Sequence, residues 1–98
     1  MIHKIEGIRT KDKAEVLLDG KAVRHIIRHS PTGLEFGYAG SGPADTAYSI
    51  LHALYGREIA EKYHQRFKFD HVSIWPEQGF KVEIDTDKWL ENAKTTKP

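Results

Sequence analysis

Four of the chain's eight glycines, with Pro31 and Pro43, fall between His29 and Asp45. Glycine loses more backbone freedom on folding than any other residue, and proline removes an N–H donor. Neither a long helix nor a regular strand runs through such a stretch. It must consist of tight turns, or of backbone that something approaches closely. Strand character lies upstream of it and helical character downstream.

Upstream, Ile5 to Arg9 reads as a short strand, followed by a charged turn at Lys11-Asp12-Lys13. Ala14 to Leu18 reads as a second strand. Asp19-Gly20 supplies the positive φ angles of a type I′ turn, so Lys21 to Arg24 should return as its hairpin partner. Ser30-Pro31-Thr32-Gly33 is a β-turn signature, and Leu34-Glu35-Phe36 a short extended piece.

Downstream, proline is favoured at the first helical position, which predicts a helix from Pro43 with Gly42 as its N-cap. Ala44, Ala47, Tyr48, Leu51, Leu54 and Tyr55 recur at steps of three and four and mark one buried face. Gly56 ends that helix in a left-handed cap, and a second helix runs from Arg57 to about Phe67. His71 to Trp75 reads as a strand, Pro76 to Gly79 as a hairpin loop, and the alternating Phe80, Val82 and Ile84 as the return strand. Asp85-Thr86 caps a last helix carrying Trp89, Leu90 and Ala93. The expected fold is α+β, with an N-terminal antiparallel hairpin, two central helices, a C-terminal hairpin and a short terminal helix. Residues 1–93 form one domain, and 94–98 a disordered tail.

The absence of cysteine excludes disulfides, thiolate metal sites and a cysteine nucleophile. No apolar run is long enough to span a bilayer, and Met1 to Glu6 lacks the apolar core of a signal peptide. A cytoplasmic location without membrane contact is expected. Fifteen basic against fourteen acidic residues give a formal charge of +1, too little to favour a long nucleic acid. A short anionic ligand remains compatible. A chain of this length covers only about 60–65% of its unfolded surface, so a homo-oligomer is expected.

Gly40-Ser41-Gly42 leads into a helix N-terminus, where free N–H groups and the helix dipole attract phosphate or carboxylate. Ser41 offers a hydroxyl, Arg24 or Arg28 a matching charge, and Phe36 or Tyr38 a stacking surface. His29, Ser30, Thr32 and Glu35 complete a candidate ligand-binding set with Gly40 and Gly42. Turn scaffolding is the competing explanation. Asp45 would repel a phosphate, Pro43 lacks a donor, and neither a Walker loop nor a dinucleotide fingerprint is present.

His29 is the best proton-transfer group, with Ser30, Glu35 or Ser41 as conceivable companions. Neighbours on an extended segment point to opposite faces, and no nucleophile motif surrounds them, so no catalytic residue is assigned. His25 and His29 have helical ligand spacing in a region that reads as strand and turn. The other four histidines are scattered, so neither a metal nor a cofactor is expected. Trp75 and Trp89 suit a core or subunit contact, and Lys62, Arg66 and Lys68 a solvated face.

The string His29-Ser30-Pro31-Thr32-Gly33, Glu35, Gly37-Tyr38, Gly40-Ser41-Gly42-Pro43-Ala44 resembles the hallmark of a family of small proteins of unknown function in bacteria and phages. That hallmark reads H-S-P-T-G-F-E-W-G-Y-G-G-S-G-P-A, followed by an Ala/Leu-rich helix. The upstream hairpin and Phe67-Lys68-Phe69 fit the same layout, so the likeness spans most of residues 5–85. Leu34, Phe36 and Ala39 depart from it, and Phe36 keeps an aromatic ring. The resemblance locates a site without naming its chemistry, and its phage association implies an accessory or anti-defence role such as sequestering a nucleotide signal.

Three functions follow as expectations. The first is a domain that binds a small anionic or nucleotide-like molecule. The second is a protein-interaction module, such as a phage inhibitor of a host protein. The third is a small hydrolase or transferase using His29.

Overall fold

The structure, a computed structural model, describes residues 1–11 and 13–95. Asp12 and residues 96–98 lie outside the described residues, so the expected turn at Lys11–Lys13 and the tail are covered only in part. Lys94 and Thr95 complete the last helix rather than beginning the tail.

Strands β1 (Ile2–Arg9), β2 (Ala14–Leu18) and β3 (Lys21–Ala22) come first. Asp19 at φ +52° and Gly20 at φ +84° make the expected β2–β3 turn. Helices α1 (Ser41–Tyr55) and α2 (Arg57–Asp70) follow, then a single 3₁₀ turn at Val72–Ile74. Strand β4 (Gly79–Asp85) runs directly into α3 (Thr86–Thr95). The fold is α+β, with one antiparallel sheet ordered β3-β2-β1-β4.

The expected C-terminal hairpin is not formed. Residues 72–74 wind into the 3₁₀ turn, Ile74 is 72% exposed, and β4 pairs with β1 instead. Local alternation identified β4 correctly but carried no information about its partner, which lies more than seventy residues away. Pairing of Ile5 with Val82 and of Gly7 with Phe80 sets the register.

Ile5, Val16 and Phe80 face the helices and share one core with Phe36, Tyr48, Ile50, Leu51, Phe67, Val72 and Trp75. Trp75 stacks on Phe80 at 4.2 Å, and Trp89 meets the Phe67 edge at 4.8 Å. The Trp89 indole N–H donates to Asp70. Glu6, Glu15, Lys81 and Glu83 take the other face of the sheet, where the alternation of the strands sends polar side chains.

Helix α1 starts two residues earlier than expected, with Gly40 as N-cap and Pro43 in its first turn. First-turn N–H groups lack intrahelical partners in any case, so proline costs nothing there. Gly56 bonds His52 O as a cap should, but at φ +92° and ψ 180° it is not the left-handed cap; it turns the chain into α2. That helix runs to Asp70, beyond Phe67, with an Arg66–Asp70 ion pair across its last turn.

The Phe80 ring lies across the backbone of Gly7. A Cβ there would sit 2.1 Å from Phe80 Cε1 and 2.9 Å from Phe36 Cζ. Both rings are held in the core, so Gly7→Ala is expected to lower stability by about 1–3 kcal/mol. A reduced urea midpoint with an unchanged m-value is the readout.

Candidate functional site

Residues 23–40 contain no helix or strand, yet much of this segment is covered. Covered backbone groups need hydrogen-bond partners, and a segment without a ladder must find them elsewhere. Polar side chains on α1 supply them. Ser49 Oγ accepts the Ile26 N–H at 2.9 Å. Thr46 Oγ1 accepts the Glu35 N–H at 2.9 Å and donates to the Glu35 carbonyl at 2.6 Å. Asp45, fully buried, accepts the N–H groups of Arg28, His29 and Ser30 at 2.8–3.3 Å, and His25 Nε2–H at 2.8 Å. Burial pushes the Asp45 carboxyl up, but His25 and these amides outweigh it and hold it below the ordinary carboxylate range.

The front of α1 is narrowed from within, although Gly40 makes no side-chain cap and Ser41 is exposed. Gly42, Pro43 and Ala44 are buried, and a Cβ on Gly42 would meet Glu35 Cβ at 2.7 Å. The Tyr38 ring packs equally closely on Gly40. The Glu35 stem lies against Gly42, and its carboxylate is bound by Arg9 at 2.8 Å.

A second constellation forms where residues 28–29 reach across to α2. Arg28 donates to Glu61 at 2.7 Å and lies over the Tyr48 ring at 5.2 Å. Tyr48 O–H donates to the same Glu61 oxygen at 3.2 Å, and Arg57 approaches it at 3.7 Å. Burial works against the Glu61 charge, but Arg28, Tyr48 and Arg57 together hold its carboxyl below the usual range.

His29 Nε2 lies 3.0 Å from His64 Nε2, while the ring centroids are 5.2 Å apart. The 2.2 Å difference is about one ring radius for each imidazole, so the nitrogens point head to head in a hydrogen bond. His64 Nδ1–H donates to the Ala60 carbonyl at 2.7 Å. In the neutral pair His64 Nε2 is therefore the acceptor, His29 Nε2–H the donor, and His29 Nδ1 keeps its lone pair.

The family-of-unknown-function model DUF6166 matches residues 5–92. The chain belongs to the DUF6166 family. Comparison with curated proteins and with solved structures finds no match.

The DUF6166 fold disperses the residues that the sequence grouped. Arg28 and His29 alone join the α2 constellation. Arg24 lines a shallow cavity of about 440 Å³ with Ile26, Ile27, Ser49 and His52. Ser30 is buried with its hydroxyl on Thr32, 3.0 Å away. Phe36 is fully buried edge-on to Phe80, so it offers no stacking surface to a guest. Tyr38 is 46% exposed and Ser41 exposed, while Glu35, Gly40 and Gly42 make up the narrowed helix front. The ring of His29 bonds His64, not Ser30, Ser41 or Glu35.

Tyr48, Arg57, Glu61 and His64 escaped sequence reasoning because no local motif links α2 to His29, thirty-five residues upstream. His25 and Asp45, which no sequence pattern links, bond each other. No group of three or more His, Asp or Glu side chains among the described residues could hold a metal ion. None of the described helices is long and apolar enough to cross a membrane.

Removing Asp45 leaves several donors without an acceptor, so Asp45→Ala is expected to cost at least about 3 kcal/mol. Its folded-state pKa is lowered, so its contribution is complete above the unfolded value of about 3.9 and is lost as pH falls through the lower folded value. The stability gap between the native protein and Asp45→Asn should accordingly narrow in acid below about pH 4. Urea titrations of both proteins across that window measure it.

Proposed function

We propose that this domain binds a small anionic, nucleotide-like molecule, and does so on the face formed by Arg28, His29 and Arg57, with His64 beneath His29. The observation that carries this reading is electrostatic: the guanidinium groups of Arg28 and Arg57 share the single carboxylate of Glu61. Two positive charges stand against one negative, beside His29 Nδ1, whose lone pair can accept from a ribose hydroxyl or a base N–H of the guest. The Arg28 and Glu61 side chains are 41% and 37% exposed, so a guest reaches them without opening the core. Bidentate guanidinium contacts favour phosphate and carboxylate oxygens. The front of α1, narrowed by Glu35 and Tyr38, is not needed for this site. A domain that holds its guest without turning it over would act by sequestration, in keeping with an accessory role.

A protein-interaction module is the second reading, and one observation favours it. Phe69 and Ile74, 60% and 72% exposed, lie at the end of α2, where Ser73 O–H donates to the Phe69 carbonyl. Gly37 N–H bonds the Val72 carbonyl and brings Tyr38, also exposed, to the same end. Large apolar side chains left open together mark partner surfaces.

Calorimetric titration with inorganic phosphate, mononucleotides, cyclic dinucleotides and ADP-ribose separates the two readings. Binding by the native protein, weakened about tenfold or more in Arg28→Ala with the unfolding midpoint nearly kept, is expected. No binding by the folded native protein, or equal binding by Arg28→Ala and His29→Ala, overturns the ligand reading.

A further inference from the structure

Strand β4 ends the sheet, and among the described residues it pairs only with β1. The direction of its peptide groups follows from the ladder. Asp19 N–H donates to the Lys4 carbonyl, so Lys4, and by alternation Glu6 and Ile8, turn their peptide groups toward β2. His3, Ile5 and Gly7 then face β4, where Ile84, Val82 and Phe80 answer them. Lys81 and Glu83 are left holding their N–H and C=O groups outward along the open edge. Such an edge is a template for another strand.

The side chains on this edge are complementary to themselves. An antiparallel copy of β4 centred on Val82 sets Lys81 opposite Glu83 and Glu83 opposite Lys81. The parity agrees with the hydrogen bonds, since Lys81 and Glu83 are the residues with outward peptide groups. Within the chain, Glu6 already stands opposite Lys81, and Lys4 opposite Glu83. Pairing two copies therefore extends an alternating row, Glu6, Lys81, Glu83, Lys4, across four strands. On the other face Val82 would meet Val82, and Phe80 would meet Ile84. Val82 and Ile84 are only half-buried in the single chain, so a second copy covers apolar surface there as well.

We propose that the protein forms a two-fold dimer through antiparallel pairing of β4 with β4 of a second copy, making one eight-stranded sheet with both helical layers on the same side. Opposite charges set directly across a strand pair stabilise it, and like charges oppose it. Lys81 is 81% exposed and its contact with Glu6 is long, at 4.0 Å, so it is free to engage a second partner. This dimer is independent of the ligand face.

Sedimentation equilibrium over a wide range of protein concentration tests the proposal. The native chain should associate as a dimer. Lys81→Glu sets Glu against Glu in the paired edge, and Glu83→Lys sets Lys against Lys. Each variant alone should dimerise about tenfold or more weakly, with its circular dichroism spectrum unchanged. Mixed in equal amounts, the two variants restore both opposite-charge pairs and should form a one-to-one heterodimer. A monomeric native chain overturns the proposal and leaves the edge to a strand from another protein. A native dimer that both substitutions leave intact, or a mixture that fails to associate, overturns it equally.

Discussion

The carboxylate of Asp45 is the interaction on which the remainder of this fold depends. It sits fully buried in the first turns of α1 and gathers three successive backbone amides and one imidazole. A buried charge is tolerated only when its lone pairs are satisfied. Here they are satisfied by a segment that has no ladder of its own. The result is mutual: the helix needs donors for its acid, and residues 28–30 need acceptors for their amides. Thr46 and Ser49 repeat the arrangement on either side. This is why α1 buries polar side chains next to the apolar positions that the helical period revealed.

Fixing residues 28–30 has a consequence at the surface. Once the backbone of Arg28 and His29 is anchored to α1, their side chains are directed over α2. There Glu61 and His64, three apart and so on the same side of the helix, receive them. The cationic face thus arises from a structural clamp rather than from a binding loop. The glycines at 40 and 42 answer to different neighbours. Tyr38 and Glu35 occupy the space that a side chain at either position would need.

What the sequence disclosed and what it withheld divide along the range of the interactions. The β2–β3 turn, the buried period of α1, the break at Gly56 and the start of α3 all rest on residues close in sequence, and each is found. The pairing of β4 with β1 and the His29–His64 bond join distant segments. No local pattern encodes those. Apolar Val72, Ile74 and Trp75 looked like a strand because alternation alone cannot tell a strand from a short 3₁₀ turn that buries Val72 and leaves Ile74 outside. The helix front is narrower than its glycines and serine suggest, because Tyr38 fills the space at Gly40 and Glu35 the space at Gly42.

The clamps on the irregular segment also make it a measured length of chain. Ile26, Arg28 to Ser30, and Glu35 are anchored to three side chains at fixed heights along one helix. An extra residue between Ile26 and Arg28 would carry an amide out of reach of its acceptor. An extra residue at the Pro31–Gly33 turn would lengthen only a bow between two moorings. Insertions and deletions accumulated over evolution should gather in that bow, leaving the distances between the moorings constant.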